Sequence, residues 1–396
     1  MSPEFVASLR ANTPGCSGNA HFNHAGASLP SQSTIGTVIR HLEQESLHGP
    51  MEVAEAAAPQ LANVRSLAAR AISAEPTEIA LMASGGTAWC AAFSALPALR
   101  PGDRLLVGRH EWGGNLAPML QAAERSGAKV EQIPCTPSGE VDPDELELML
   151  DERVRLVSLT WLPANGGLVN DAAAIGAVTS RAGIPYFLDA GQALGQLEID
   201  VRKLNCDVLT AAGKKHLRGP RGTSLLYVRS SFKSHLLPLR SNPTLTNWQQ
   251  DSAGPCDDAI VFEPAEKPLA LFLGLGDALD QYLSLGPVEV EQRVLGLAEE
   301  LRDRLEADPA IDLLDLGRTK SGLVSFGVAG LAAAEVRAKL AEAGFNLSSN
   351  GIAYTPFDMR ARGLREVVRA SLSYFNTEEE VERLATAIIA VARGAR

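Results

Sequence analysis

Short apolar runs alternate with longer amphipathic segments over residues 75–230 of this chain. The amphipathic segments, such as 116–125 and 172–181, have the periodicity of helices, and the apolar runs between them predict strands. Strand–helix alternation over this length predicts an α/β fold with a mostly parallel, doubly wound sheet, in which ligands bind beyond the carboxyl ends of the strands. The predicted strands are Ile79–Met82, 105–107, 130–133, 156–159, 186–188, 208–209 and Ser224–Val228.

The pattern changes on both sides of this region. Residues 34–48 and 53–72 are predicted to be helical, and residues 238–264 form an irregular segment rich in Pro, Asn and Gly. A long helix at Leu269–Leu285 and another at 288–305 lead into a C-terminal α+β unit with strands at 323–326 and 367–371 and helices at 332–343 and 377–392. The predicted organisation is an N-terminal segment (1–30) that contributes to the site, a large cofactor-binding domain (31–285) and a small C-terminal domain (286–396).

Composition narrows the functional classes. The chain has 396 residues, 45% of them hydrophobic and 21% charged, which is typical of a globular protein. A net charge of −11 argues against a general nucleic-acid surface. No apolar stretch is long enough to span a membrane, and the first residues lack an apolar signal core, so we expect a cytoplasmic protein. The cysteines are odd in number and lack zinc-site or disulfide spacing, so no metal is expected; they are Cys16, Cys90, Cys135, Cys206 and Cys256.

Two motifs at the ends of predicted strands carry candidate chemistry. Lys214 and Lys215 follow one apolar run, and Asp189 and Gln192 follow another. A lysine that forms a Schiff base, together with a carboxylate that keeps a pyridine nitrogen protonated, is the core of catalysis by pyridoxal 5'-phosphate (PLP). A solvated basic loop and a helix-capping aspartate are the simpler alternatives. Because both motifs occur together, we favour Lys215 as the Schiff-base lysine, Asp189 at the ring nitrogen and Gln192 at the ring hydroxyl.

The neighbours of Lys215 are expected to lower its pKa. The amine must be neutral to act as a nucleophile, and nearby positive charges disfavour the protonated form. The same charges can balance a bound phosphate dianion. The cations considered are Lys214, His216, Arg218 and Arg221.

Two further turns follow predicted strands and complete a candidate cofactor site. Gly85, Gly86 and Thr87 open a helix, whose N-terminal N–H groups and dipole attract phosphate, although Gly-rich turns of this kind are common. The turn matches neither a dinucleotide fingerprint nor a Walker sequence. Trp112 lies in a later turn and is either a core residue or a stacking partner for the cofactor ring. Asn165, after the next strand, is a candidate contact for the ring oxygen.

Arg369 is the candidate for binding a substrate carboxylate. It lies on a predicted strand, and a guanidinium can bind a carboxylate through two hydrogen bonds, although a surface arginine is the simpler alternative. Thr377 and Glu380 have the spacing of a capping box at the start of the following helix. Substrate specificity is assigned to Asn23 and His24, to residues 238–264 and to residues 350–355.

Together these motifs resemble the class V aminotransferase family of fold-type I PLP enzymes, which includes cysteine desulfurases, isopenicillin-N-epimerase-like proteins and the carbon–sulfur lyase of ergothioneine synthesis. The resemblance extends from Phe22 to the segment around Arg369. It implies a homodimer with active sites at the subunit interface. Position by position, it implies the Schiff base on Lys215, phosphate contacts at Gly86 and Thr87, ring contacts from Asp189, Gln192 and Trp112, and carboxylate binding by Arg369.

Three features depart from the family pattern. Ala212 occupies a position that is often Ser or Thr and binds phosphate, and Lys214 replaces a common His or Arg and is expected to supply the missing phosphate contact. Cysteine desulfurases of the family carry a nucleophilic cysteine shortly before the carboxylate-binding arginine. Here the last cysteine is Cys256, far upstream of Arg369. On this basis persulfide-forming cysteine desulfuration is expected to be unlikely.

The expected activity is that of a PLP enzyme acting on an amino-acid-like substrate through an external aldimine and a Cα carbanion. An aminotransferase or epimerase-like reaction is favoured, and a carbon–sulfur β-lyase that releases pyruvate and ammonia is the alternative. In each case Lys215 acts as the general base. A PLP-binding regulator without catalysis is less favoured, because Lys215, Asp189 and Arg369 occur together. A dinucleotide oxidoreductase is also less favoured, because the chain lacks the Gly-x-Gly-x-x-Gly motif.

Overall fold

The computed structural model describes residues 1–239, 242–245 and 257–394. Cys256 and parts of the 238–264 segment lie outside these residues. Within them the strands are β1 (Ala20–His21), β2 (Ile79–Met82), β3 (Arg104–Gly108), β4 (Lys129–Ile133), β5 (Val154–Thr160), β6 (Tyr186–Asp189), β7 (Val208–Ala212), β8 (Ser224–Val228), β9 (Ile311–Leu313), β10 (Leu323–Val328), β11 (Phe345–Asn346), β12 (Ser348–Gly351) and β13 (Glu366–Ser371).

The helices surround these strands on both faces and extend beyond them at both ends of the chain. They are α1 (Pro3–Ala11), α2 (Gln32–His48), α3 (Pro50–Ala56), α4 (Ala58–Ala71), α5 (Gly85–Ser94), α6 (Gly113–Ser126), α7 (Pro143–Met149), α8 (Ala172–Ala182), α9 (Val201–Leu204), α10 (Leu269–Leu285), α11 (Pro287–Glu306), α12 (Ala333–Glu342), α13 (Pro356–Ala361) and α14 (Glu378–Gly394). Among the described helices, none is both long enough and apolar enough to cross a lipid bilayer.

A seven-stranded sheet in the order β2-β8-β7-β6-β5-β3-β4 forms the centre of the molecule. The strands from β7 to β4 are parallel, whereas β8 runs antiparallel to both of its neighbours. The segment between β7 and β8 contains no helix, which is the usual element of a crossover between parallel strands. The predicted α/β class with a mostly parallel sheet is confirmed, and all seven predicted strands are present.

Helices cover both faces of this sheet. Along β6, Phe187 and Leu188 point to opposite faces and belong to different buried clusters. Phe187 packs in the cluster that contains Trp89 of α5, and Leu188 packs in the cluster that contains Phe272 of α10. Since both faces are buried, the inner strands are mostly apolar, as in β6 and β8, whereas the edge strand β4 carries exposed polar residues.

A second sheet, β12-β13-β10-β9, is antiparallel and forms the C-terminal unit. The N-terminal segment joins this unit: β1 pairs with β11, Asn23 bridges to Ser371, and Phe22 lies in the hydrophobic cluster of the C-terminal unit. The predicted capping box is present, since Glu380 N donates to Thr377 Oγ1 at 3.1 Å and Thr377 N donates to Glu380 Oε2 at 3.2 Å.

Two helix predictions need correction. The single helix predicted over 53–72 is two helices, α3 and α4, with Pro59 in the first turn of the second. Proline has no N–H to continue the hydrogen bonding of the preceding helix, and it fits the first turn of a new one. The N-terminal helix α1 was not predicted. Its side chains pack on distant parts of the chain, as in the ion pair of Arg10 with Glu380.

Candidate active site

The cavity that contains the candidate residues lies at the carboxyl edge of the central sheet, beside the C-terminal unit. Its volume is about 580 Å³. Five of its lining residues are Lys or Arg, and among the described residues no Asp or Glu lines it. Such a cavity favours ligands with negative groups such as phosphate and carboxylate. The polar lining residues used below are His21, Asn23, Trp112, Gln192, Lys214, Lys215, Arg221, Arg337, Tyr354 and Arg369.

Lys215 follows β7 and lines the cavity. Some of its surface remains accessible from the cavity, but the surrounding protein removes most of its hydration. The pKa of the Lys215 ammonium is lowered to about 8: burial is the main cause, the carboxylate of Asp189 opposes it, and the charges of Arg369 and Lys214 add to the lowering. At that pKa a useful fraction of the amine is neutral near physiological pH, as a nucleophile or general base requires.

The expected contribution of His216 and Arg218 to this shift is wrong. His216 is fully buried and its pKa is lowered to about 3, so the ring is neutral. Arg218 directs its guanidinium away from the cavity, to Leu29 O, Tyr374 Oη and Thr13 Oγ1. Burial, rather than a row of neighbouring cations, is the main cause of the lysine's low pKa.

Asp189 lies at the end of β6, close to Lys215. Its Oδ1 accepts from Gly191 N at 2.8 Å and its Oδ2 accepts from Asn115 Nδ2 at 2.8 Å. A Cβ at Gly191 would lie 2.8 Å from Asp189 Oδ1 and 3.4 Å from Lys215 Nζ. Glycine at this position therefore leaves room between the acid and the amine. Gln192 Nε2 donates to Ala25 O at 3.2 Å, whereas the buried Gln192 Oε1 has no partner.

The N-terminus of α5 and the ring of Trp112 lie together. A Cβ at Gly86 would lie 3.5 Å from the Trp112 ring. Ser84 caps the helix by accepting from Thr87 N at 3.1 Å, and the two hydroxyl oxygens are 2.5 Å apart. Lys214 is half-buried, and burial together with the charge of Arg221 lowers its pKa.

Arg369 lies buried on β13 and reaches the cavity. It donates from one terminal nitrogen to Ala164 O at 2.6 Å and from the other to Asn23 Oδ1 at 3.3 Å. Burial lowers its pKa to about 10, so the guanidinium stays charged at neutral pH. Its Nε is buried without a partner. The structure thus brings Arg369 and Asn23 together, with donor capacity left for an anion.

Two predicted site residues make hydrogen bonds to other protein groups. The fully buried His24 contacts Ser28 Oγ through Nδ1 at 2.7 Å and His21 O through Nε2 at 2.9 Å, so these hydrogen bonds do not support its predicted substrate contact. Asn165 Nδ2 donates to Gly351 O at 3.1 Å and to Thr355 Oγ1 at 3.0 Å, so both of its hydrogens are used. Asn165 Oδ1 is buried without a partner, and its contact with the ring oxygen stays a prediction in which Oδ1 accepts from the ring hydroxyl.

Several residues of the site had no assigned role in the sequence. His21 and Arg337 line the cavity but belong to no motif at the end of a strand, whereas Tyr354, which also lines it, lies in the 350–355 segment to which specificity was assigned. Ser84 was detectable, because it stands at helix-cap spacing from Thr87. The structure also connects Glu111 and Asn115 to Asp189, although the sequence showed them only as flanking residues of Trp112.

The arrangement fits PLP. An amine of lowered pKa, an amide with an unpaired oxygen and a buried guanidinium line one cavity, the carboxylate of Asp189 lies close to the amine, and a helix N-terminus that suits phosphate lies nearby. In particular, Gln192 Oε1 is a buried acceptor without a donor, and the hydroxyl of the cofactor ring would supply one.

This chain is similar to a known protein family, to individual named relatives and to solved structures. A family model described as Aminotransferase class-V matches residues 23–384. A probable cysteine desulfurase of Xylella fastidiosa is 30% identical over 303 residues, covering 75% of this chain and 71% of the relative. One from Methanothermobacter thermautotrophicus is 31% identical over 290 residues and 72% of each chain. The solved apo cysteine desulfurase of Thermococcus onnurineus superimposes with a TM-score of 0.88 at 22% identity, covering 100% of this chain and 99% of that one.

Proposed function

The chain belongs to the class-V aminotransferase family, and we propose that it is a cysteine desulfurase, which removes the sulfur atom from cysteine or a close analogue and leaves alanine. Family membership confirms that it is a PLP-dependent enzyme and that the predicted fold class is right. The observation that carries the proposal is the similarity to two proteins that are named probable cysteine desulfurases, one from Xylella fastidiosa and one from Methanothermobacter thermautotrophicus. The proposal is supported by Lys215 and Arg369, which line one cavity, and by Asp189, which lies close to Lys215.

The activity expected from the sequence is corrected by these relatives. They overturn both the preference for an aminotransferase or epimerase-like reaction and the statement that cysteine desulfuration is unlikely, and they give no support to the β-lyase alternative. The earlier inference rested on the absence of a cysteine shortly before Arg369. To leave alanine, a thiol must attack the substrate sulfur, so that the electron pair of the carbon–sulfur bond stays on carbon and takes up a proton. An external thiol such as dithiothreitol can be that acceptor and is oxidised to a disulfide as sulfide is released, so the reaction does not require a cysteine at this position.

The proposed roles at the reacting atoms follow from the contacts of three side chains. Arg369, held by Ala164 O and Asn23, binds the substrate carboxylate through its unpaired Nε and its remaining hydrogens. When bound, PLP supplies a conjugated ring that takes up the negative charge left at Cα. Neutral Lys215 Nζ takes the proton from Cα and delivers protons in later steps. Asp189 keeps a proton on the ring nitrogen.

Other residues are proposed to hold the cofactor without taking part in proton transfer. Gly86 and Thr87, at the N-terminus of α5, bind the phosphate, with Lys214 as an added charge. Trp112 lies against the ring face, since aromatic rings favour offset stacking. Gln192 Oε1 accepts a hydrogen bond from the ring hydroxyl.

A product assay tests the proposed function. Purified protein is incubated with PLP, L-cysteine and dithiothreitol as the external thiol acceptor, and alanine and sulfide are quantified. We expect the two products in equal amounts and no requirement for a keto acid. Pyruvate and ammonia in place of alanine would contradict the proposal, as would a product that forms only when a keto-acid acceptor is added.

The pH dependence of cofactor capture is a second expected result. Because the pKa of Lys215 is lowered to about 8, the neutral fraction of the amine rises about tenfold between pH 7 and 9 and then levels off. A lysine with an ordinary pKa of about 10.4 would give a rise of nearly a hundredfold over the same range, without a plateau. Stopped-flow absorbance near ~420 nm after mixing apoprotein with PLP measures the rate. A rate that still climbs steeply at pH 10 would show that the cavity does not lower this pKa.

A homodimer is proposed from the surface of α2. This helix exposes an apolar stripe, which a monomer would leave in water. A second copy of the chain is the expected partner, because two identical patches paired about a two-fold axis cover each other from water. Sedimentation velocity of Ile39→Asp, with Leu148→Asp on α7 as the matched control, should give a monomer only for the first. The exposed residues are Ile35, Ile39, Leu42 and Leu47, with exposed fractions of 39%, 49%, 52% and 70%.

A cytoplasmic location stays a prediction, for which fractionation of cells is the test.

The division of the chain into domains at residues 30 and 285 also stays a proposal. The separate hydrophobic cluster of the C-terminal unit supports it, although Phe22 of the N-terminal segment belongs to that same cluster. Limited proteolysis would show whether cleavage concentrates near these two positions.

A further inference from the structure

Glu111 is a buried carboxyl that none of the proposed steps uses. It lies just beyond β3 and is 1% exposed. Its Oε1 accepts from Trp112 N at 3.2 Å, Asn115 Nδ2 at 2.9 Å and Thr160 Oγ1 at 2.8 Å, and its Oε2 accepts from Ser158 Oγ at 3.0 Å. All four donors are neutral. Burying a carboxyl among neutral groups costs more than exposing it, so a position of this kind suggests a function.

Two of the donors of Glu111 connect it to residues that are proposed to contact the cofactor. Trp112, whose backbone nitrogen donates to Glu111, is the residue proposed to stack on the ring, and Trp112 N also donates to Thr160 Oγ1 at 2.9 Å. Asn115 Nδ2 gives its second hydrogen to Asp189 Oδ2 at 2.8 Å. One carboxyl oxygen, Glu111 Oε1, therefore contacts both Trp112 and the amide that holds Asp189.

We propose that Glu111 is a positioning residue for the cofactor ring, which it aligns through the backbone of Trp112 and, by way of Asn115, through the carboxylate of Asp189. Asn115 is the bridge between two acids, because its single amide nitrogen donates to both. The inference rests on the proposed contacts of Asp189 and Trp112 with the cofactor, but it does not depend on which amino acid is consumed.

Burial supports the proposal from a second direction. The pKa of Glu111 is raised to about 7: burial is the main cause, the charge of Asp189 adds to it, and the hydrogen bonds from Asn115, Thr160 and Ser158 oppose it. A side chain this close to neutrality is well imitated by glutamine. In Glu111→Gln the amide oxygen can keep the three donors of Oε1, and the amide nitrogen can donate to the hydroxyl of Ser158. Glutamine should thus preserve the alignment that alanine removes.

The test measures cofactor binding and not turnover. We compare the dissociation constant for PLP and the induced circular dichroism per bound PLP, because the second quantity reports how firmly the ring is held in one orientation. For Glu111→Ala and Asn115→Ala we expect about a tenfold weaker affinity and a smaller dichroic band, the scale of losing a hydrogen bond to a charged group. For Glu111→Gln we expect both quantities within about threefold of the parent.

Glu380→Ala is the matched control. Glu380 is also buried and also accepts from an asparagine side chain, Asn376 Nδ2 at 3.0 Å, and from a backbone nitrogen, but it lies in the C-terminal unit. The Glu380→Ala substitution should lower the melting temperature of the protein without changing the dichroic band of bound PLP. The double variant Glu111→Ala/Asn115→Ala should lose less affinity than the two single losses combined, since both act on Asp189.

Each outcome decides for or against the proposal. Unchanged affinity and band in Glu111→Ala, equal effects in Glu380→Ala, or additive losses in the double variant would overturn it. If Glu111→Ala does not fold, Asn115→Ala and Glu111→Gln give the same decision. If the variants show the expected losses of PLP affinity and dichroism but the parent protein forms no alanine and sulfide from cysteine, only the proposed reaction is wrong. If Asp189→Asn leaves cofactor binding and the dichroic band unchanged, the proposed ring contact itself is wrong.

Discussion

Replacement of Lys215 by alanine is expected to lower turnover by about 10⁴-fold or more. The change removes the amine that carries the cofactor and the general base that takes the Cα proton, and loss of a general base by itself costs about 10²- to 10⁴-fold. Steady-state desulfuration with L-cysteine and dithiothreitol measures the effect. Borohydride reduction followed by peptide mapping should place the cofactor label on the peptide that contains Lys215 in the parent protein and on no peptide in the variant.

Lys214→Ala is the matched control for this experiment. Lys214 is the adjacent lysine and lines the same cavity, but its expected role is to balance the charge of the phosphate. The variant should therefore bind PLP more weakly and regain most of its turnover when PLP is in excess. If Lys214→Ala abolishes the reaction while Lys215→Ala retains it, the two lysines have been assigned the wrong way round.

Asp189→Asn is expected to lower turnover by about 10²- to 10³-fold, the usual cost of removing one preorganised electrostatic group at an active site. Asparagine has nearly the same shape and can still accept from Gly191 N. It carries no charge, so it cannot hold a proton on the ring nitrogen, and the ring then accepts less of the charge left at Cα. Steady-state turnover at saturating PLP isolates this effect from any loss of cofactor.

Asp207→Asn provides the matched control for Asp189. Asp207 is equally half-buried and accepts from a backbone nitrogen, Tyr186 N at 2.9 Å, but it lies at the opposite end of the same pair of strands. Its replacement should leave turnover within about twofold of the parent. Equal losses in both variants would mean that any weakening of β6 lowers activity and that Asp189 has no special part in the chemistry.

The activity itself shows how a sequence motif can mislead. Lys215, Asp189 and Arg369 stood out because each follows or lies on an apolar strand, and they identified the type of cofactor chemistry. The choice among reactions was then made on a missing cysteine, although the thiol that accepts the sulfur can come from outside the chain. Reactions that share one set of residues differ in how later protons and leaving groups are handled, and no single side chain in the sequence reports this.

The electrostatics of the site also required the structure. Positive neighbours in sequence led to the expectation that His216 and Arg218 lower the pKa of Lys215. In the fold His216 is neutral and Arg218 turns towards Leu29 and Tyr374. The shift comes mainly from burial, with a contribution from Arg369, which is more than 150 residues away in the chain. Desolvation depends on everything that surrounds a group, so adjacency in sequence is a poor guide to it.

The sequence by itself determined the α/β class, the strands of the central sheet and the residues at their carboxyl ends, because doubly buried strands and strand–helix periodicity are local properties of a chain. Only the tertiary structure decided that β8 runs antiparallel, that both ring nitrogens of His24 are used elsewhere, and that Glu111 reaches Asp189 through Asn115. These results depend on contacts between segments far apart in the chain. Such contacts exist only after the strands take their order in the sheet.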